Sequence, residues 1–293
     1  MPNDPNTSCI EVRRVMGNLV TQDHDQVAVE EPLEIQLGLE RRGIRTVRSI
    51  SVTMRTPGND DELALGFLFG EGVLNRPSDV ERIESPESEK GSANAVRIHL
   101  KAGVPFDPRQ LERHFYTTSS CGICGKASLA AVQKMARRLA PCAPGTLRIS
   151  PAVVHRLPER LRGSQRIFDD TGGLHAAALF DAAGNLCSLR EDVGRHNAVD
   201  KVIGSEWLDG RLPLSDRILL VSGRASFELI QKAVRAGIPV FAAVGAPSSL
   251  AIELAEACGL TLLGFVRDTR FNIYSASYRL DGVLENAEAA IVS

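Results

Sequence analysis

The chain has 293 residues, 43% of them hydrophobic, and a formal net charge of −2 at pH 7. That length suits two modest domains or one large one, and the apolar share supports an ordinary packed core rather than a disordered chain. The near-balance of charge gives no general footprint for nucleic acid or an anionic membrane surface, and no apolar run reaches the roughly 20 residues of a membrane helix.

Residues 1–30 are polar and read as a flexible N-terminal segment. Arg13-Arg14 has the look of a twin-arginine leader, but the apolar stretch from Val15 to Val20 is too short before Gln22-Asp23. The expected location is therefore the cytoplasm, where thiols stay reduced. Of Cys9, Cys121, Cys124, Cys142, Cys187 and Cys258, only Cys121 and Cys124 are close in sequence, so no disulfide framework is expected. Cys187 and Cys258 read as small buried hydrophobes.

Residues 31–115 read as a small N-terminal α+β domain. Leu33–Leu37 and Val47–Met54 alternate as strands, with a turn at Arg41-Arg42-Gly43. Thr56 to Glu62 sets up a helix start with acids in its first turn, and Leu63, Leu65, Phe67, Leu68, Phe69 and Val73 supply its apolar residues. Ala95–Leu100 is another strand, and the proline-bearing stretch 104–109 is a plausible boundary.

Residues 116–140 read as a cysteine loop and helix. In Thr117-Thr118-Ser119-Ser120-Cys121-Gly122-Ile123-Cys124-Gly125-Lys126, hydroxyl residues precede a C-x-x-C pair. Ser119 or Ser120 can cap the helix. A thiol at a helix start with Lys126 nearby has its thiolate favoured, so this stretch reads as sulfur chemistry. Half a zinc site is the first alternative, but there is no second pair, and Cys142 and Cys187 lie at no familiar spacing. A thioredoxin-like exchanger is the second, against which the order of strands and helices speaks.

Residues 141–293 change pattern. His175–Phe180 and Asn185–Arg190 make a hairpin, and a helix follows through Ala198–Trp207. Arg217–Val221, Pro239–Val244 and Leu260–Val266 are continuous apolar strands, separated by helices over Ala225–Ala236 and Ser249–Ala257. The alternation predicts right-handed crossovers and a largely parallel α/β sheet, with the hairpin at one end.

Ligands of such sheets bind beyond the carboxyl ends of the strands. Three turns there suit an anion: Ser222-Gly223-Arg224, then Gly245 to Ser248, then Phe265-Val266-Arg267-Asp268-Thr269-Arg270 followed by Phe271-Asn272. The last could stack on a base, pair with the edge of guanine and neutralise phosphates. Each alone is ordinary turn chemistry; three in succession at one end of a sheet weigh against that. His175 and His196 sit among charged residues and could hold an oxygen or move a proton near pH 7, whereas His24, His99, His114 and His155 lack such settings.

Taken together, the motifs resemble the FdhD family of formate dehydrogenase accessory sulfurtransferases. The resemblance rests on Val52 to Gly58, Glu62 to Leu68, Ser119 to Gly125, Phe168 to His175, Glu191 to Lys201, Ser222 to Arg224, and Phe265 through Asn272. Thr269 stands where many members carry glycine. The resemblance implies a C-terminal mixed sheet of cytidine-deaminase-like fold with helices on both faces, α+β overall, and a homodimer. Neither H-x-E nor P-C-x-x-C is present, so deamination is not implied. It implies a carrier that takes persulfide sulfur from a cysteine desulfurase. The acceptor would be a molybdenum or tungsten bis(pterin guanine dinucleotide) cofactor destined for formate dehydrogenase. Cys121 would be the persulfide site, with Cys124 releasing the sulfur or sharing the load. No structural metal, nucleic acid or membrane partner is expected. A cofactor chaperone without sulfur chemistry and a C-x-x-C thiol–disulfide oxidoreductase are the alternatives.

Overall fold

The computed structural model describes residues 5–41, 43–86, 94–106 and 147–283. Where a flexible N-terminal segment was expected, β1 (Thr7–Met16) and β2 (Leu19–Ala28) form an antiparallel hairpin. Val15, Met16, Leu19 and Val20 are exposed near its turn.

A four-stranded sheet follows, with β3 (Glu31–Arg41), β4 (Ile44–Arg55), β5 (Val80–Glu84) and β6 (Ala95–Leu100) in the order β4-β3-β6-β5. Leu33, Ile35 and Leu37 alternate inward, as period two demands, and are buried with Val96 and Ile98 of the parallel neighbour β6. Helix α1 (Asp60–Gly70) begins with three acids in its first turn, where the macrodipole favours them.

The second unit contains α2 (Pro151–Arg162), α3 (Arg166–Thr171), β7 (His175–Phe180), β8 (Leu186–Asp192), α4 (Arg195–Leu208), β9 (Ile218–Val221), α5 (Phe227–Arg235), β10 (Val240–Ala243), α6 (Ser249–Ala257), β11 (Thr261–Gly264) and β12 (Asn272–Ser275). Its six-stranded sheet runs β12-β11-β10-β9-β7-β8. Strands β9, β10 and β11 are parallel, as their unbroken apolar runs predict. The hairpin β7–β8 and strand β12 are antiparallel, so the sheet is mixed rather than largely parallel.

Both sheet faces are covered. Leu219, Val221, Phe241 and Ala243 point to one apolar cluster, while Ile218, Leu220, Val240 and Ala242 point to the other, which contains Val154 and Leu157 of α2. The first cluster runs without a break into Leu33, Leu65, Leu68 and Ile98 of the N-terminal unit. Helices α1 and α4 form the junction. Arg190 clamps Glu62 with two bonds, Nε–Oε2 at 2.5 Å and Nη2–Oε1 at 2.7 Å.

Candidate functional site

The turns leaving β9, β10 and β11 are stitched side by side by their own backbone. Gly245 N donates to Gly223 O at 2.9 Å, Ala225 N to Ala246 O at 3.1 Å, and Phe265 N to Gly245 O at 3.1 Å. The ladder of the sheet thus continues past the strand ends as a shelf. Small residues are required for it: a β-carbon on Gly245 would lie 3.0 Å from Gly223 O, and one on Gly264 would lie 2.8 Å from the Tyr274 ring.

The serines serve this shelf. Ser222 Oγ accepts from Ala176 N at 2.9 Å, and Ser248 Oγ caps α6 by accepting from Ala251 N at 3.3 Å. Ser226 places its hydroxyl 3.2 Å from His196 Nε2. Gly223 and Arg224 sit on the first turn, and Arg224 is exposed.

The last turn carries the most unusual backbone. Phe265 adopts φ 52° in the left-handed region, and its side chain remains 38% exposed. For a bulky L-residue that conformation costs about 1–2 kcal/mol, and such strain concentrates at functional sites. Val266 next to it is fully buried, so its side chain packs in the core and faces no ligand. Arg267 donates through Nη1 to Val244 O at 2.8 Å, bracing the turn as well as charging it. Asp268, Thr269 and Arg270 are exposed. His155, dismissed in the sequence, belongs here: its Nδ1 lies 3.1 Å from Arg267 O and its ring 5.2 Å from that of Phe271. A separation of 112 residues hides that contact from any local motif.

On the other side of the shelf, His175 lies opposite Asp192 in the β7–β8 register. Burial, then the charges of Arg195 and His196, hold its pKa below the ordinary value. His196 Nε2 lies 3.9 Å from Glu228 Oε2, and this neighbour is the main reason the Glu228 pKa falls to about 2.

The rest of the 191–201 stretch serves the junction between the units. Asp192 is fully buried and pairs with Lys201 Nζ at 2.7 Å, while accepting from Gly194 N at 2.8 Å, Asn197 Nδ2 at 2.9 Å and Thr56 N at 3.3 Å. Lys201 Nζ also donates to Thr56 O at 2.8 Å, and Asn197 Nδ2 to Met54 O at 2.7 Å. These bonds fix the start of α4, and with it Arg195 and His196. Glu191 accepts from Ile167 N at 3.1 Å and Phe168 N at 2.9 Å, holding the first turn of α3.

The shelf therefore brings together Phe265, Arg267, Asp268, Thr269, Arg270, Gly245, Gly223 and Arg224, with His175 and His196 along one side. It can hold an anion beside an exposed aromatic ring. Cys121 and Cys124 lie outside the described residues. Cys258 is buried as expected, but Cys187 on the edge strand β8 is exposed. Among the described residues no His, Cys, Asp and Glu side chains group as a metal site.

A family model described as FdhD/NarQ matches residues 28–281. The chain is 49% identical over 274 residues to the "Sulfur carrier protein FdhD" of Streptomyces avermitilis, covering 92% of this chain and 94% of that one. It is 42% identical over 267 residues to the protein of the same name from Saccharolobus solfataricus, covering 91% and 95%. A crystal structure of a candidate formate dehydrogenase accessory protein from Desulfotalea psychrophila superposes with a TM-score of 0.70 at 25% identity, covering 94% of this chain and 100% of that one. Matched along nearly its whole length in sequence and in fold, the chain belongs to the FdhD/NarQ family.

Proposed function

We propose that the chain is a sulfur carrier that delivers sulfur to a guanine-dinucleotide-bearing molybdenum or tungsten cofactor destined for formate dehydrogenase. The observation that supports it most is the exposed, left-handed Phe265 flanked by Arg267 and Arg270 on the turn after β11. An aromatic face offered beside guanidinium groups suits a base with its phosphates. The names of the relatives supply the sulfur.

In this reading the Cys121 thiolate attacks the outer sulfur of a cysteine desulfurase persulfide. The S–S bond of the donor breaks, its thiolate leaves, and Cys121–S–SH forms. Attack by the Cys124 thiolate on Cys121 Sγ then releases hydrosulfide towards the cargo and leaves a Cys121–Cys124 disulfide, which a cellular thiol reductant must reopen. The cofactor is cargo, not a resident group, and the carrier works as a homodimer.

Mass spectrometry after incubation with a desulfurase and cysteine tests the reading. The 121–124 peptide should gain one sulfur atom, and Cys121→Ala should gain none. Double alanine replacement at Cys121 and Cys124 should abolish support of formate dehydrogenase; if support persists, the chain is a cofactor chaperone instead.

A further inference from the structure

Arg195 enters the site so far only through its charge on His175. It is the first residue of the fourteen-residue helix α4, behind Gly194, which offers no side-chain cap. Its Nε is buried and has no hydrogen-bond partner among the described residues. The nearby carboxylate of Asp192 is already neutralised by Lys201 at 2.7 Å.

The neighbourhood is shaped as a cradle. A β-carbon added to Gly223 would lie 3.5 Å from His175 Nδ1 and 3.7 Å from Arg195 Cδ. Those are ordinary contact distances, so the missing side chain leaves room between the imidazole, the arginine stem and the turn backbone. Arg224 adds a second guanidinium on the same turn, with no ion pair among the described residues. The Arg195 guanidinium thus stands beside Gly223 with its Nε unsatisfied, in a chain whose net charge is −2.

The spot is separate from the Phe265 turn. His175 begins β7, whereas Phe265 follows β11, and β10 and β9 lie between them. At about 4.8 Å per strand step, that is roughly 14 Å across the sheet. A base at one place and an oxyanion at the other must belong to two ends of a long ligand, or to two ligands.

We propose that Arg195 and His175, seated against the open backbone of Gly223, form an oxyanion subsite that takes the head of the cargo while its nucleotide lies on the Phe265–Arg270 turn. The assignment of head and nucleotide rests on the sulfur-carrier reading; the subsite itself does not. The recognised chemistry is a compact oxyanion, supplied by a phosphate of the cargo's pyrophosphate link or by an oxygen ligand of its metal.

Titration calorimetry on the full chain tests this, with inorganic phosphate, molybdate and guanosine as separate probes. Phosphate or molybdate should bind, and the tighter of the two identifies the source. Arg195→Gln should weaken that anion at least tenfold and leave guanosine unchanged. Arg195→Lys should recover part of the loss. Gly223→Val, which fills the cradle and keeps every charge, should weaken the anion as much as Arg195→Gln, with an unchanged melting temperature as the check on folding. Failure of the wild-type chain to bind either anion, or an unaltered affinity in Arg195→Gln or Gly223→Val, overturns the subsite. Anion binding that depends on Arg195 without any guanosine binding leaves the subsite standing and overturns the nucleotide placement.

Discussion

A β-carbon on Gly66 would stand 1.9 Å from the carbonyl oxygen of Asp200, so α1 crosses α4 backbone against backbone. The contact is reciprocal: a β-carbon on Gly204 would stand 1.8 Å from the carbonyl oxygen of Glu62. Neither neighbour is a side chain that can swing aside. Gly66→Ala or Gly204→Ala must push the helices apart and should each cost about 3 kcal/mol or more, at the upper end of overpacking penalties. Denaturant unfolding measures it; a loss under about 1 kcal/mol would show that the crossing yields more easily than its geometry implies.

The Asp192–Lys201 pair is buried on both sides and bonded to Thr56 across the junction. Removing one partner leaves the other charge stranded, which typically costs about 3–5 kcal/mol. Asp192→Asn and Lys201→Met should each fall in that range. The double variant should lose clearly less than the sum, because the second change removes the stranded charge. Additive losses in a double-mutant cycle would argue that the two groups act independently.

Phe265→Asn separates strain from recognition. Asparagine tolerates the left-handed conformation, so stability should stay within about 1 kcal/mol of the wild type. Stacking on a base is worth about 1–3 kcal/mol, so guanosine affinity should fall about tenfold or more. Equal affinity in the two proteins would remove the ring from the binding surface.

His175 provides a pH readout. Its pKa is lowered first by burial and then by Arg195 and His196. Folding therefore favours its neutral form. The unfolded chain binds more protons between the lowered value and the ordinary value of about 6.5, so stability tied to this group rises with pH across that window and is level above it. Arg195→Gln should move the NMR titration of His175 upward, yet leave it below 6.5, because burial is the larger cause. An unmoved titration would place the guanidinium away from the imidazole.

Much of this fold is legible in the residues themselves. The unbroken apolar runs at Ile218–Val221, Val240–Ala243 and Thr261–Gly264 announce strands covered on both faces, and the glycine and serine turns after them mark the ligand end. Helix α2 went unread, although Ser150 before Pro151 is a start signal and caps Val153 N at 3.4 Å. Strand β5 carries no such signal: Val80-Glu81-Arg82-Ile83-Glu84 is mostly charged, and it is placed by pairing with β6 and by packing Val80 and Ile83 on the core. The same limit hid the partition of the 191–201 stretch. Its charged residues look alike in sequence, and only packing sends Asp192 and Lys201 inward while Arg195 and His196 stay near the shelf.

The core shared by the two sheets also bears on synthesis. Leu63 and Phe69, which flank Gly66 on the face of α1 that meets α4, leave the ribosome long before Arg195–Leu208 has been translated. The nascent N-terminal half thus carries greasy surface it cannot hide by itself, an aggregation hazard until the later helix arrives. Expression of that half alone is expected to give inclusion bodies, and co-expression with residues 147–293 to rescue it into a working heteromer.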